Sequence, residues 1–217
     1  MADSNTRDGD SHHTQDLMRY VQRVHAAHNP GLQSAFDAPG RFDIPAIQLG
    51  ASESKLLTLL MRLIVAKKVV EVGTLAGYSA LRLADGLGDD GKVWTIEYEP
   101  QHAEVAEQVI ESAGYSDRIE VLTGAGAYVL PTLEDYGPFD AVFVDADKES
   151  YPFYGRWAAR NIRQGGLLIG DNAYVFGELL DESERGEAMR QFHEESTEYF
   201  DTTCIPTPEG MLIGVRK

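Results

Sequence analysis

Cysteine is almost missing from this 217-residue chain: Cys204 stands alone. No intramolecular disulfide can brace the fold, and a reducing, cytoplasmic setting is expected. Nothing beside Cys204 marks a reactive thiol, so it reads as a structural strand residue. No apolar run reaches the roughly 18 residues of a membrane span. The first stretch, MADSNTRDGDSHHTQD, is polar and acidic, unlike a signal or transit peptide. Basic residues are few: 19 Lys and Arg against 35 Asp and Glu leave a formal charge of −16. Such a field repels phosphate backbones and anionic lipid, so neither nucleic acid nor membrane is an expected partner.

What is present is a globular composition, 43% hydrophobic and 9% aromatic, at the length of one ordinary domain. Residues 1–16 show no apolar period and are expected to be disordered. Leu17, Tyr20, Val21 and Val24 recur at helical spacing, and Asn29-Pro30-Gly31 reads as the stop of that helix. A loop-rich stretch is expected to follow to about Gly50, so that 17–50 forms a helix-and-loop arm. Ser52 then reads as the N-cap of a helix whose face is Leu56, Leu59, Leu60 and Leu63.

Beyond Lys67, short apolar runs at 69–73, 92–97, 118–122, 139–145 and 166–171 alternate with amphipathic segments near 78–87, 100–113, 125–134, 150–163 and 181–195. β-Branched runs separated by helical patterns are the signature of βαβ units and a parallel sheet. Residues 198–206 and 210–217, joined by Thr207-Pro208-Glu209, read as an antiparallel pair. The fold expected is a doubly wound α/β sheet ending in a β-hairpin.

Open α/β sheets bind ligands beyond the carboxyl ends of their strands, where strand order reverses. The first run leads into Gly73-Thr74-Leu75-Ala76-Gly77, where the two glycines let a backbone approach a ligand without Cβ obstruction. The spacing is G-x-x-x-G; Leu75 breaks the dinucleotide fingerprint G-x-G-x-x-G. The second run ends in Glu97, roughly twenty residues beyond the turn, where a carboxylate can accept hydrogen bonds from ribose hydroxyls. Together the turn and the acid favour a nucleoside cofactor.

The fourth and fifth runs end in Asp145-Ala146-Asp147-Lys148 and Asp171-Asn172. Each Asp alone is accounted for as a helix cap. On adjacent strands, however, Asp145, Asp171 and Asn172 would face one crevice as an all-oxygen set suited to Mg²⁺ or Mn²⁺, with Ca²⁺ a further option. Lys148 is then either a solvated lysine or an amine whose pKa a nearby cation lowers toward base strength. The six histidines pair with no nucleophile and are read as non-catalytic.

Four segments, 71–79 (EVGTLAGYS), 95–100 (TIEYEP), 139–154 (FDAVFVDADKESYPFY) and 165–172 (GGLLIGDN), together resemble the metal-dependent class I O-methyltransferases, the family of the catechol and caffeoyl-CoA enzymes and their bacterial relatives. The likeness runs from about Gln48 to Lys217. It implies a Rossmann-like, seven-stranded, mostly parallel sheet with helices on both faces, and a methyltransferase domain over 51–217. Carried over by position, Glu71, Gly73, Thr74 and Ser79 would line the methionine part of S-adenosylmethionine, Glu97 the ribose, and Ala125 with Gly126 the adenine. Leu49 and Asp145 would touch the cofactor as well. Asp145, Asp171 and Asn172 would be the metal ligands and Lys148 the general base. Tyr174 and Phe176 would border an acceptor pocket shared with Asp145, Lys148 and Asn172. The implied activity is methylation of a hydroxyl on a small catechol-like acceptor by a homodimer. Departures fall at Glu53-Ser54, at Glu209-Gly210-Met211 and at 177–181, all beside the acceptor. Rival readings are a nicotinamide-dependent oxidoreductase, disfavoured by Leu75 and by the lack of a Tyr-x-x-x-Lys set, and a non-catalytic nucleoside-binding protein.

Overall fold

The computed structural model describes Asn5, Gly9 and residues 11–217, so half of the stretch 1–16 for which disorder is expected lies outside the described residues, and Gln15 and Asp16 within it are helical. In chain order the elements are α1 (Gln15–His25), α2 (Pro30–Phe42), α3 (Ala51–Leu63), β1 (Lys68–Val72), α4 (Tyr78–Ala84), β2 (Lys92–Glu97), α5 (Pro100–Ser112), β3 (Ile119–Thr123), α6 (Gly126–Val129), β4 (Phe139–Val144), α7 (Tyr151–Asn161), β5 (Ile162–Asp171), α8 (Glu184–Tyr199), β6 (Phe200–Ile205) and β7 (Met211–Arg216). Short 3₁₀ turns at Leu130–Tyr136, Lys148–Ser150 and Val175–Leu180 join some of them. None of the described helices is long and apolar enough to cross a membrane.

The seven strands lie in the order β3-β2-β1-β4-β5-β7-β6. All neighbours among β1 to β5 pair in parallel, and β7 runs antiparallel to both β5 and β6. This is the doubly wound sheet with a terminal hairpin. Alternation along the strands divides the core in two. Val69, Val93, Ala141, Phe143 and Ile169 face α2 to α5, whereas Val70, Trp94, Val142, Val144 and Leu168 face α7 and α8. Both faces are buried, which is why these strands read as near-continuous apolar runs.

Two expectations near the N-terminus are corrected. Residues 30–42 form a helix, not a loop. Asn29 does not merely end α1; it caps α2, its Oδ1 accepting the Leu32 N–H at 2.8 Å, with Pro30 pre-set for the first turn. One Asn-Pro pair thus serves as stop and start. In α3 the N-cap is Gly50, whose N–H donates to Glu53 Oε2 at 3.0 Å, and not Ser52. Its buried face is Ser54, Leu57, Thr58 and Met61, while Leu59 and Leu63 are 45% and 78% exposed. Counting only apolar positions misses a face built on hydroxyls. Ser54 Oγ donates to Tyr78 Oη at 2.8 Å and Thr58 Oγ1 to the Arg82 carbonyl at 2.8 Å, so both are satisfied inside.

At the amino end of the sheet, Asp140 ties three strands together. Its Oδ2 accepts the N–H groups of Lys67 and Lys68 at 2.7 and 2.8 Å, and its Oδ1 accepts Arg163 Nε at 2.6 Å. Burial alone would raise this carboxyl's pKa; the guanidinium and the two amides outweigh it and leave it below the usual value. A depressed folded pKa gives stability that is present above the unfolded value and lost as pH falls through the folded one. Asp140→Asn is therefore expected to lower unfolding stability by about 1–3 kcal/mol at neutral pH. Wild type and variant should converge below about pH 3 in denaturant titrations, since the variant lacks that acid-labile contribution.

Candidate active site

Strand order reverses between β1 and β4, and a cavity of about 800 Å³ opens there, beyond the carboxyl ends of the strands. The turn after β1 forms its floor. Gly73 N–H donates to the Ile96 carbonyl at 2.9 Å, and Asp145 N–H to the Val72 carbonyl at 2.8 Å, so the ends of β1, β2 and β4 are stapled together. Gly73 has φ +96°, and a Cβ there would stand 1.9 Å from the Asp145 carbonyl oxygen. Its lack of a side chain is thus first a condition of strand contact, and only then of ligand approach.

Glu97, at the end of β2, braces the same turn. One carboxylate oxygen accepts the N–H groups of Thr74 (3.1 Å) and Leu75 (2.8 Å), the other that of Glu99 (2.9 Å). Beneath them a buried hydroxyl chain runs from Thr74 through Thr95 to Glu71. Burial pushes the Glu71 carboxyl up to about 8; the charges of Asp145 and Glu97 add to this, and the Ser79 and Thr95 hydroxyls oppose it.

The opposite wall comes from β4 and β5. Val144 pairs with Gly170, which sets Asp145 and Asp171 side by side one residue further on. The Asp171 carboxyl is pushed up to about 8 by burial and by the charge of Asp145, against the backbone N–H of Asn172; that of Asp145 is also raised, by burial, against the pull of Lys148. Two carboxylates side by side in a partly buried corner resist ionising together. Asn172 lies in the left-handed region (φ 51°) with its Nδ2 3.0 Å from Asp171 Oδ2. Lys148 is only 7% exposed. Its Nζ stands 3.5 Å from Asp145 Oδ1, and burial lowers its pKa while the charges of Asp145, Asp171 and Asp147 oppose the shift. Among the described residues no three His, Cys, Asp or Glu side chains form a metal-sized cluster; the set here is two aspartates and an amide.

Of the residues singled out from sequence, Leu49, Gly73, Thr74, Ser79, Glu97, Ala125 and Gly126 line the cavity on one side. Asp145, Lys148, Asn172 and Phe176 line the other. Glu71 lies a layer below, and Asp171, 6% exposed, sits behind Asn172. Tyr174 does not line the cavity, contrary to expectation. Its ring lies over Gly210, where a Cβ would meet Tyr174 Cδ1 at 2.6 Å, and its hydroxyl approaches Cys204. The cause is the backbone of 172–177. Asn172, Val175, Phe176 and Gly177 all have positive φ, and this sharp strap sends Tyr174 to the hairpin and Phe176 to the cavity mouth. The strap hangs on the hairpin turn, with Ala173 N–H donating to the Gly210 carbonyl and Tyr174 N–H to that of Glu209, both at 2.9 Å.

Sequence reasoning missed Ile47, Tyr98, His102, Tyr154 and Arg185, which also line the cavity. His102, read as an ordinary helix residue, has its Nδ1 3.7 Å from Glu97 Oε1; its place one turn into the helix after an acidic strand end was the available signal. Arg185, paired with Glu178 at 2.8 Å, comes from α8 and left no local mark.

The signature of the O-methyltransferase family matches residues 31–216. The chain belongs to that family. The match begins at α2, ahead of the likeness read from sequence, and the architecture is the class I methyltransferase Rossmann-like fold. A catechol O-methyltransferase of Mycobacterium tuberculosis is 41% identical over 174 residues, 80% of this chain and 79% of its own. That of Niastella koreensis is 34% identical, covering 95% and 91%. Among solved structures, the Bacillus cereus O-methyltransferase in complex with SAH superposes with a TM-score of 0.89 at 33% identity, covering 93% of this chain and 97% of that one. The protein is therefore a methyltransferase enzyme, which sets aside both the oxidoreductase and the non-catalytic readings.

The collision at residue 73 yields a graded test. Gly73→Ala should destabilise the fold by at least about 3 kcal/mol, because both φ and space forbid a side chain. Gly114→Ala, at φ +78° but with no atom within 4 Å, should lose only about 1 kcal/mol. Equal losses in denaturant unfolding would contradict the strand-contact role.

Proposed function

We propose that this O-methyltransferase transfers a methyl group from S-adenosylmethionine to one hydroxyl of a small aromatic acceptor carrying two adjacent hydroxyls, assisted by a divalent cation. The observation that carries the proposal is that one cavity unites a nucleoside-type end, Gly73 to Ser79 with Glu97, and an acid-amine end, Asp145, Lys148 and Asn172. The catechol acceptors named for the two relatives and the SAH held by the Bacillus cereus neighbour support it.

The donor set suits a hard dication. Asp145, Asp171 and Asn172 offer oxygen alone, and the raised pKa values of both aspartates mark a place where a positive charge relieves repulsion. These three residues would hold Mg²⁺, or Mn²⁺ or Ca²⁺ in its place, which when bound supplies positive charge that lowers the pKa of a nearby hydroxyl.

The chain's own residues divide the remaining work. Glu97 offers its carboxylate to the ribose hydroxyls while bracing the turn. Thr74 and Ser79 border the methionine portion, with Glu71 a layer below and joined to Thr74 through Thr95, and Ala125 with Gly126 admits the adenine; a Cβ at Gly126 would meet Tyr154 Cε1 at 2.8 Å. Leu49 and Phe176 line the cavity on opposite sides. Lys148 Nζ takes the proton of the acceptor hydroxyl, its buried amine being shifted toward the neutral form. The freed oxygen displaces the methyl from sulfur in line. Opposite charges vanish in that step, so alignment in a dry pocket, not an oxyanion hole, supplies most of the acceleration.

Chelation should abolish turnover of catechol and added Mg²⁺ should restore it. Lys148→Ala should lower kcat by about 10²–10⁴-fold, with S-adenosylmethionine affinity by calorimetry unchanged. Full turnover in chelator would remove the cation from the reading, and an unimpaired Lys148→Ala would remove the base.

The homodimer implied by resemblance is supported by apolar side chains left outside the core. Leu17, Tyr20 and Val24 on α1, and Leu59 and Leu63 on α3, are exposed. Light scattering is expected to give twice the chain mass; a monomeric mass at micromolar concentration would overturn it.

A further inference from the structure

Tyr151, the first residue of α7, has no part in the scheme above, yet its hydroxyl stands at the centre of the acid-amine end. The residue is 0% exposed. Its ring packs edge-on against Phe192, with centroids 5.2 Å apart. The hydroxyl oxygen accepts a hydrogen bond from Lys148 Nζ at 2.8 Å. It also lies 3.1 Å from the Val144 carbonyl oxygen and 2.9 Å from that of Asp171. A phenol has one proton to give, so it donates to either carbonyl while its lone pair takes the lysine N–H. Those carbonyls end β4 and β5, so a single oxygen is referenced to both strand ends that carry the aspartates.

A lysine head on a four-carbon stem loses aim unless something fixes it. Asp145 alone would fix it poorly for this task, because a carboxylate favours the ammonium form. A phenol is neutral at working pH and accepts an N–H from the amine in either protonation state. We propose that Tyr151 is the positioning residue of Lys148, its hydroxyl holding Nζ at the ends of β4 and β5 so that the amine's free lone pair faces the acceptor hydroxyl. This rests on Lys148 acting as the base. A merely structural Tyr151 would satisfy one strand-end carbonyl and pack against Phe192, and its loss would lower stability with no particular effect on proton removal.

The test compares Tyr151→Phe, Lys148→Ala and the double variant, with saturating catechol and Mg²⁺ and with S-adenosylmethionine varied up to saturation. Phenylalanine keeps the ring packing and removes only the hydroxyl. Tyr151→Phe is expected to lower kcat by about 10–100-fold and to leave the KM for S-adenosylmethionine within about twofold, the mark of an interaction used in the chemical step. The double variant should be no slower than Lys148→Ala, because a positioning residue has nothing left to position. Wild-type kcat in Tyr151→Phe, or losses that multiply in the double variant, would overturn the proposal. If Lys148→Ala turns over like wild type, the base reading itself falls and takes this one with it; if Lys148→Ala is slow and Tyr151→Phe is not, the positioning role alone falls. Should Tyr151→Phe fail to fold, fluorotyrosine installed at 151 keeps shape and hydroxyl but weakens the acceptor. It is expected to give an intermediate kcat, and an unchanged kcat would overturn the proposal.

Discussion

Everything at the carboxyl edge of the sheet depends on how closely two backbones meet, at Gly73 and at the Asp145 carbonyl. With a Cβ 1.9 Å from that oxygen, any side chain at 73 would part β1 from β4. These are the strands between which the order reverses, so the contact sets the width of the crevice and both of its walls. The turn that follows Gly73 carries the nucleoside-type end, and the residue whose carbonyl it touches opens the acid-amine end. A single absence of a methyl group thus brings the two halves of the site within reach of one substrate pair.

The edges of the sheet are used differently. At the amino edge, Asp140 is fully engaged by a guanidinium and two amides and is held in its charged form. At the carboxyl edge, Glu71, Asp145 and Asp171 are pushed toward neutrality and Lys148 away from its charge. One edge is matched to its own groups; the other is left wanting partners that the fold does not supply. Unmatched buried charge of this kind is tolerated where ligands complete it.

Most of the architecture was legible because parallel strands buried on two faces leave unbroken apolar runs, and because strand ends in this fold carry the chemistry. Gly73, Glu97, Asp145 and Asn172 could be placed from chain order alone. What escaped detection did so for physical reasons. The α3 face is lined by Ser54 and Thr58, whose hydroxyls find partners only in three dimensions. Asn29-Pro30 has the same composition whether it ends a helix or begins one. Tyr174 could not be placed because three non-glycine residues of its strap sit at positive φ, a choice made by tertiary contacts and not by local preference. Tyr151 looked like one more aromatic of α7 until its hydroxyl was seen between two strand ends.

The strap from Asn172 to Gly177 hangs from the hairpin turn by the carbonyls of Glu209 and Gly210. The cavity wall that Asn172 and Phe176 line is therefore suspended from the last stretch of the chain, while the opposite wall is braced by Glu97 from the middle of the sheet. Drift at the hairpin tip can reshape that wall without disturbing the turn that Glu97 braces. For a lineage of enzymes, that partition lets new chemistries be sampled at the tail while an old reagent is kept.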